Sequence, residues 1–326
     1  MRQILRVELM KAAMCFTTVS VLFTQTMFAQ NFKKGNEWKK YRREVFIGFG
    51  AANFLGDLGG LDKIGTDLSP VDLELQQTGI SAVFGYKYKL AKWFNVVSAF
   101  KYLRVRGDDQ LTAEKYRNNR NLNFKSNIFE LTFRMEFVYM HNSVGNRYGI
   151  KNTFGKRMKT NSFDLTAFVG AGGFYFNPKG RSSNGTWHKL KPLHTEGQGL
   201  PGGPKQYKNY SVCIPFGFAY RYYVQRNWSI GIEISYMKTF TDYIDDVSTF
   251  YYDPKELKAS YGELSAKMAD PNKGQIDGFS SPAADGKPAQ RGDVDKDSYL
   301  TLQLTTGYII KQNKYRRIKA KLRSRF

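Results

Sequence analysis

Asp242, Asp245 and Asp246 place three carboxylates within five residues in TDYIDDVST, and oxygen ligands that close could coordinate calcium from a surface loop. They lack the alternating ligand spacing of an EF-hand, so no metal is assigned to them. The three histidines, His141, His188 and His194, all stand in polar stretches that read as loops. Neither HExxH nor GxSxG occurs, and no Cys/His pair has the spacing of a metal site. We therefore expect a chain that is not an enzyme, with no catalytic residues, metal or cofactor. A different chemistry is available to Glu44, Glu130, Arg134, Glu136, Asp164, Arg221 and Glu233, because carboxylates and guanidiniums can neutralise one another where water is excluded.

These seven are positioned by segments whose apolar residues recur every second position, bounded by Gly, Asn, Asp and Pro. In one segment Ile80, Ala82, Phe84, Tyr86 and Tyr88 share a face, with Ser81, Val83, Gly85 and Lys87 on the other. In another, Phe129, Leu131, Phe133, Met135, Phe137 and Tyr139 alternate with Glu130, Thr132, Arg134 and Glu136. The same alternation runs through Ser211 to Tyr222, Trp228 to Tyr236 and Leu300 to Ile310, and more weakly through Glu44 to Leu55, Phe94 to Arg106 and Phe163 to Tyr175. Eight segments of about 9 to 14 residues suit an eight-stranded antiparallel transmembrane β-barrel of the outer-membrane type, all-β, with its apolar face toward lipid. Aromatic residues gather at the segment ends, as interfacial girdles do. An eight-stranded interior is narrow enough for side chains to fill, so the seven charged residues predict a salt-bridged plug in preference to an ion path.

Residues 1–29 have the form of a secretory signal peptide. Arg2, Arg6 and Lys11 precede the uncharged stretch AAMCFTTVSVLFTQTMFA, which ends in Ala29. Met14 stands where lipid modification of Cys15 would want a small residue, so that cysteine leaves with the signal. Cys213 then has no partner for an intramolecular disulfide. The mean hydropathy of −0.49 and the lack of long apolar runs past the signal exclude a polytopic helical membrane protein. In an intracellular chain of 326 residues a net charge of +22 would suggest nucleic acid. Export removes that partner.

Loop lengths orient the barrel. KLAKW and QRNW are short, whereas the connections after the first, third, fifth and seventh segments are long, the last running from 241 to 296. Short turns belong to the periplasm and long loops to the exterior, with both termini periplasmic. The connection at 141–161 is too long for a tight turn and suggests an added periplasmic element. On this topology the periplasmic pieces carry +22 and the external loops −3. The basic surplus concentrates in segment 30–43, with Lys33, Lys34, Lys39, Lys40, Arg42 and Arg43. A second concentration follows the 44–311 barrel in the tail 312–326, through Lys314, Arg316, Arg317, Lys319, Lys321, Arg323 and Arg325. Such a tail is either a solvated, disordered extension or a docking element for an acidic periplasmic protein or anionic lipid.

FLGDLGG (54–60), RNLNFKSNIFEL (120–131), FVGAGGFYFNPKG (168–180), HTEGQG (194–199), CIPFGFAYRY (213–222) and TDYIDDVSTFYYD (241–253) occur in this order. Together they resemble the PorG-type outer-membrane β-barrel family of the type IX (Por) secretion system of Bacteroidetes, over about residues 43 to 310. The resemblance implies a non-enzymatic barrel of the secretion and gliding-associated machinery. Such a barrel anchors a periplasmic ring, built from a lipoprotein and its partner, to the outer membrane and its lipid. No catalytic residue is implied. The motifs fall on external loops and strand ends through Gly56, Asp57, Asn177, Pro178, Glu196, Gly197, Asp242, Tyr243, Asp245 and Asp246. That placement suggests loop packing over the barrel mouth or contact with another secretion component, or residues that only turn the chain. The basic tail is no part of the family pattern. The runner-up is a general small barrel that binds or passes a hydrophobic solute, or stabilises the envelope.

Overall fold

The structure is a computed structural model that describes residues 39, 41–58, 75–112, 114–141, 162–224, 227–276, 289–292 and 295–311. The chain divides into residues 1–40 and residues 41–326, and the barrel lies in the second unit. The signal peptide, the 142–161 connection and the tail 312–326 lie outside the described residues, as do Lys33, Lys34 and Lys40.

Eight long strands form the wall among the described residues: β1 (Arg43–Leu55), β2 (Gly79–Lys89), β3 (Phe94–Asp108), β4 (Asn123–His141), β5 (Ser162–Arg181), β7 (Tyr210–Tyr223), β8 (Trp228–Thr239) and β9 (Ser298–Ile310). A short β6 (Trp187–Lys189) adds to the end of β5. Every neighbouring pair is antiparallel, and pairing of β4 with β5 and of β1 with β9 closes the ring, leaving no long strand with an open edge. Tyr139 is the extra residue of an irregularity in β4, where the register shifts between Val138 and Met140.

Period-two alternation decides which side chains meet lipid. Phe49, Phe84, Phe133, Phe218 and Leu304 are 58 to 69% exposed on the outer surface, while Arg134, Lys101 and Glu136 are at most 1% exposed inside. A globular protein in water would not place rings outside and charges inside. In a bilayer the arrangement is the stable one, because the closed ladder satisfies the backbone and the outer face matches hydrocarbon. On β4 the apolar face from Phe129 to Phe137 covers roughly 20 Å along the membrane normal, given strand rise and barrel tilt. The protein is an outer-membrane barrel, with Arg43 and Ile310 paired at the end that carries the short turns.

Three expectations need correction. Strand β4 begins at Asn123 and β5 continues to Arg181, beyond the apolar alternation, because above the lipid the ladder persists while the outward side chains turn polar. Lys87, counted with the periplasmic charge, points into the barrel, since its neighbour Tyr86 occupies the outer face. His141 and His188, read as loop residues, lie in β4 and β6, where the ladder runs on into polar sequence. The 241–296 connection, whose order the sequence left open, holds two helices, α2 (Pro254–Tyr261) and α3 (Glu263–Ala269), and α1 (Lys115–Arg120) lies between β3 and β4. Asp253 caps α2 by accepting from Lys255 N at 2.7 Å, with Pro254 in the first turn. Glu114 caps α1 through Tyr116 N and Arg117 N.

Candidate functional site: a filled lumen beneath a folded cap

At the short-turn end of the lumen, Asp164 accepts a 2.6 Å bond from Tyr223 Oη. Glu44 lies 3.6 Å from Arg221 and accepts from Ser229 at 3.0 Å. Lys87 reaches Glu136 at 2.5 Å. Glu136 also lies 3.4 Å from Arg134. Arg134 in turn grips Glu233 through two 2.6 Å bonds, a bidentate fork, and its guanidinium sits 4.4 Å from the Phe168 ring centroid. Lys101 donates to Ser235 at 3.0 Å and stands 3.7 Å from Glu233. Glu130 accepts from Tyr299 Oη at 2.6 Å.

All seven charged residues expected in the interior are therefore buried there, joined by two cations the sequence did not single out, Lys87 and Lys101. Both alternate with aromatic outer-face neighbours, which was the available signal. Above this polar storey the lumen turns apolar, with Leu103, Phe124, Ile128, Phe174, Phe176 and Met237 in one cluster that continues into the loops. Among the described residues, paired charges and the apolar cluster above them fill the lumen.

The cap over that layer is organised by two buried arginines. Arg120 forks onto Asp109 at 2.7 and 3.0 Å and donates to the carbonyls of Arg291 at 2.7 Å and Asp57 at 2.8 Å. Arg291 reaches Glu196 at 3.1 Å and the Asp246 carbonyl at 2.7 Å. Asp246 accepts from Thr195 and Tyr207 hydroxyls, both at 2.5 Å, and Glu196 accepts from Ser248 N at 2.8 Å. HTEGQG and TDYIDDVST are thus the two halves of one internal contact. Gly197 adopts φ +69° with the Tyr252 ring lying where a Cβ would stand, so this position requires glycine. Tyr243 stacks on Tyr207 at 4.6 Å between centroids.

The three aspartates of the motif take separate partners. Asp242 accepts from Ser248 Oγ at 2.7 Å, Asp245 from Val247 N at 3.0 Å, and Asp246 from the two hydroxyls above. Among the described residues no group of His, Cys, Asp and Glu is arranged to hold a metal ion. Burial raises the Asp246 carboxyl to about 6 against the pull of Arg291, and raises Asp242 to about 7 against the Ser248 bond. Asp245 and Asp297 are pushed well above the usual carboxylate range, first by burial and then by neighbouring carboxylates. His194 stacks on Tyr261 at 4.2 Å with Nδ1 2.7 Å from the Gln198 carbonyl, and His188 Nε2 lies 2.7 Å from Thr186 Oγ1.

The sequence did not point to Arg291, Asp297 or Tyr207, which stand in polar stretches without periodicity. Arg120 opens the motif RNLNFKSNIFEL and could have been found there. Of the expected docking residues, Lys39 and Arg43 are exposed, and Arg42 donates to Tyr88 Oη at 3.4 Å. Lys314, Arg316, Arg317, Lys319, Lys321, Arg323 and Arg325 lie outside the described residues.

No protein-family model and no curated protein matches the chain. Among solved structures it is similar to Ail, the attachment invasion locus protein of Yersinia pestis, at 12% identity and a TM-score of 0.35, over 82% of this chain and 98% of Ail. It is similar to neisserial surface protein A at 8% identity and 0.34, over 82% and 96%. It is also similar to outer membrane protein AlkL at 10% and 0.32, over 89% and 99%. These likenesses concern the fold alone.

Proposed function

We propose that this chain is a non-enzymatic structural subunit of the outer membrane that anchors a periplasmic lipoprotein ring of a type IX secretion machine. The observation that carries the reading is the filled lumen: Arg134, Glu233, Glu136 and Lys87 neutralise one another across a barrel closed above by an apolar layer. A barrel with its lumen filled in this way is suited to work through its surfaces. The family-like motifs support the same reading in a specific way. Glu196, Gly197, Asp242 and Asp246 are consumed in holding the cap together, which leaves the basic segments flanking β1 and β9 as the docking elements.

Long-range attraction between those segments and an acidic partner would speed encounter and weaken with salt. Deleting residues 311–326 should leave the barrel folded and reduce recovery of the lipoprotein ring in a pull-down from the native host, with about 0.5 M salt reproducing the deletion. Full recovery from the truncated chain at every salt concentration would remove the tail from the docking role. Failure of the intact chain to recover any ring component would remove the secretion reading itself.

A further inference from the structure

Four cations lie directly opposite one another on four adjacent strands of the outer wall. Arg106 of β3 pairs with Lys125 of β4, Lys125 with Lys179 of β5, and Lys179 with Lys189 of β6. Like charges directly opposite on neighbouring strands repel, and a protein has no folding reason to line up four. Arg106 donates to the Thr78 carbonyl at 2.7 Å, and Lys125 Nζ lies 3.6 Å from the Trp187 ring centroid. Among the described residues none of the four has a carboxylate at ion-pair distance, and the nearby Arg181 uses Asp108 at 3.5 Å. The row asks for anions from outside the chain.

Its height says which anions. Lys125 is four residues beyond Phe129, the last ring of the lipid-facing stripe on β4, which puts its Cα roughly 10 Å above the hydrocarbon edge at barrel tilt. Lysine side chains extend toward a charged layer while their stems cover apolar surface. Directly below the row the wall carries a groove of about 610 Å³ between Phe129, Leu131, Tyr175, Tyr210 and Val212. It exists because Gly173 stands on the outer face of β5, between Leu131 of β4 and Val212 of β7, with no side chain to fill the space.

We propose that this wall is a binding site for a phosphate-bearing lipid of the external leaflet, with headgroup phosphates on Arg106, Lys125, Lys179 and Lys189 and an acyl chain in the Gly173 groove. A cation row above an apolar slot complements a molecule with phosphate at one end and hydrocarbon at the other. Neither half alone would specify that combination. The inference is independent of any secretion role, since it concerns the external wall and not the periplasmic segments.

The test uses the full chain folded into phosphatidylcholine nanodiscs doped with lipid A or with its dephosphorylated form, and counts retained lipid by native mass spectrometry. The native protein should retain the phosphorylated lipid in excess, and Lys125→Gln/Lys179→Gln/Lys189→Gln should cut that retention about a hundredfold, as loss of three basic residues near an anionic surface implies. A control, Lys205→Gln/Lys255→Gln/Lys258→Gln on the exposed cap, should leave retention unchanged. Gly173→Leu fills the groove without strain, since a Cβ there meets only the Ser211 carbonyl oxygen at 3.8 Å, and should lower retention of both lipids while preserving the preference for phosphate. Equal retention of the two lipids by the native protein, or native retention by the triple variant with heat-resistant gel mobility intact, would overturn the proposal. Displacement of the lipid by millimolar inorganic phosphate would overturn it too, by reducing the site to an unspecific anion patch.

Discussion

Arg134 of β4 and Glu233 of β8 stand three strands apart around the ring and meet in the lumen through two parallel 2.6 Å bonds. The fork pins opposite walls of the barrel to each other, in an environment where neither charge has water to fall back on. Replacing Arg134 with Met should destabilise the barrel by about 3–5 kcal/mol, because Glu233 is left buried without its bidentate partner, with Lys101 no nearer than 3.7 Å. Arg134→Met combined with Glu233→Leu and Lys101→Met, which leaves no member of the Glu233 cluster charged and alone, should recover most of that loss. Urea unfolding of the refolded barrel in lipid vesicles, followed by heat-modifiable gel mobility, measures both. A triple variant as weak as the single one would show that the fork is not the source.

A filled lumen has an electrical signature. The native protein in planar bilayers should pass no resolved ion steps. Truncating Arg134, Glu233 and Lys101 together to Ser removes the side chains that fill the polar storey, and conductance should still stay low while the apolar layer of Phe124, Ile128 and Phe176 remains above it. Steady conductance by the native protein would contradict the plug.

The cap should loosen as pH rises. Asp246 and Asp242 titrate near 6 and 7 in the folded cap, above the ordinary carboxylate value, so the folded state holds protons that the unfolded state releases. Their contribution is fully present below about pH 4 and is lost as pH climbs through 6 to 7. For the fully buried Asp246 this amounts to about 3 kcal/mol. Limited proteolysis between pH 4.5 and 8 should show faster cleavage of the 241–276 region at the higher pH, and Asp242→Asn with Asp246→Asn should flatten the profile. A cap that becomes more protected toward pH 8 would reverse the assignment.

Gly197→Ala tests the contact between the two motif loops. An alanine must adopt a left-handed backbone and displace the Tyr252 ring, a cost of about 1–3 kcal/mol to the cap. Cleavage within 241–276 should accelerate while barrel gel mobility is unchanged. Loss of both together would mean that cap and wall fold as one unit.

The wall was legible because period-two alternation is forced by geometry: on a closed barrel, Phe129, Leu131 and Phe133 must face lipid if Glu130, Thr132 and Arg134 face inward. The signal ended where the lipid ends. Lys125 and Lys179 read as loop residues because the outward face turns polar there while the inward face turns apolar, through Phe124, Ile128 and Phe176, so the alternation that marks the wall reverses although the ladder continues past them. The cap was legible only in fragments. Asp253–Pro254 is an ordinary helix start, but Arg291 acts through contacts to Glu196 and Asp246, residues 45 and more positions away, and no local pattern announces such a contact.

The pairing of β1 with β9, from Arg43 opposite Ile310 to Leu55 opposite Ser298, joins residues separated by nearly the whole barrel sequence. The first strand to leave the export channel can zip onto β2 along one edge, but its other edge therefore has no mate until the final strand arrives. Over that interval the chain carries two unsatisfied margins, each able to capture a stray segment. Closing so long a loop makes assembly slow compared with hairpin zipping along the wall. A chain stopped before residue 298 would be a sheet waiting for a seam, which makes the last thirteen residues of the wall the step that commits the protein to the membrane.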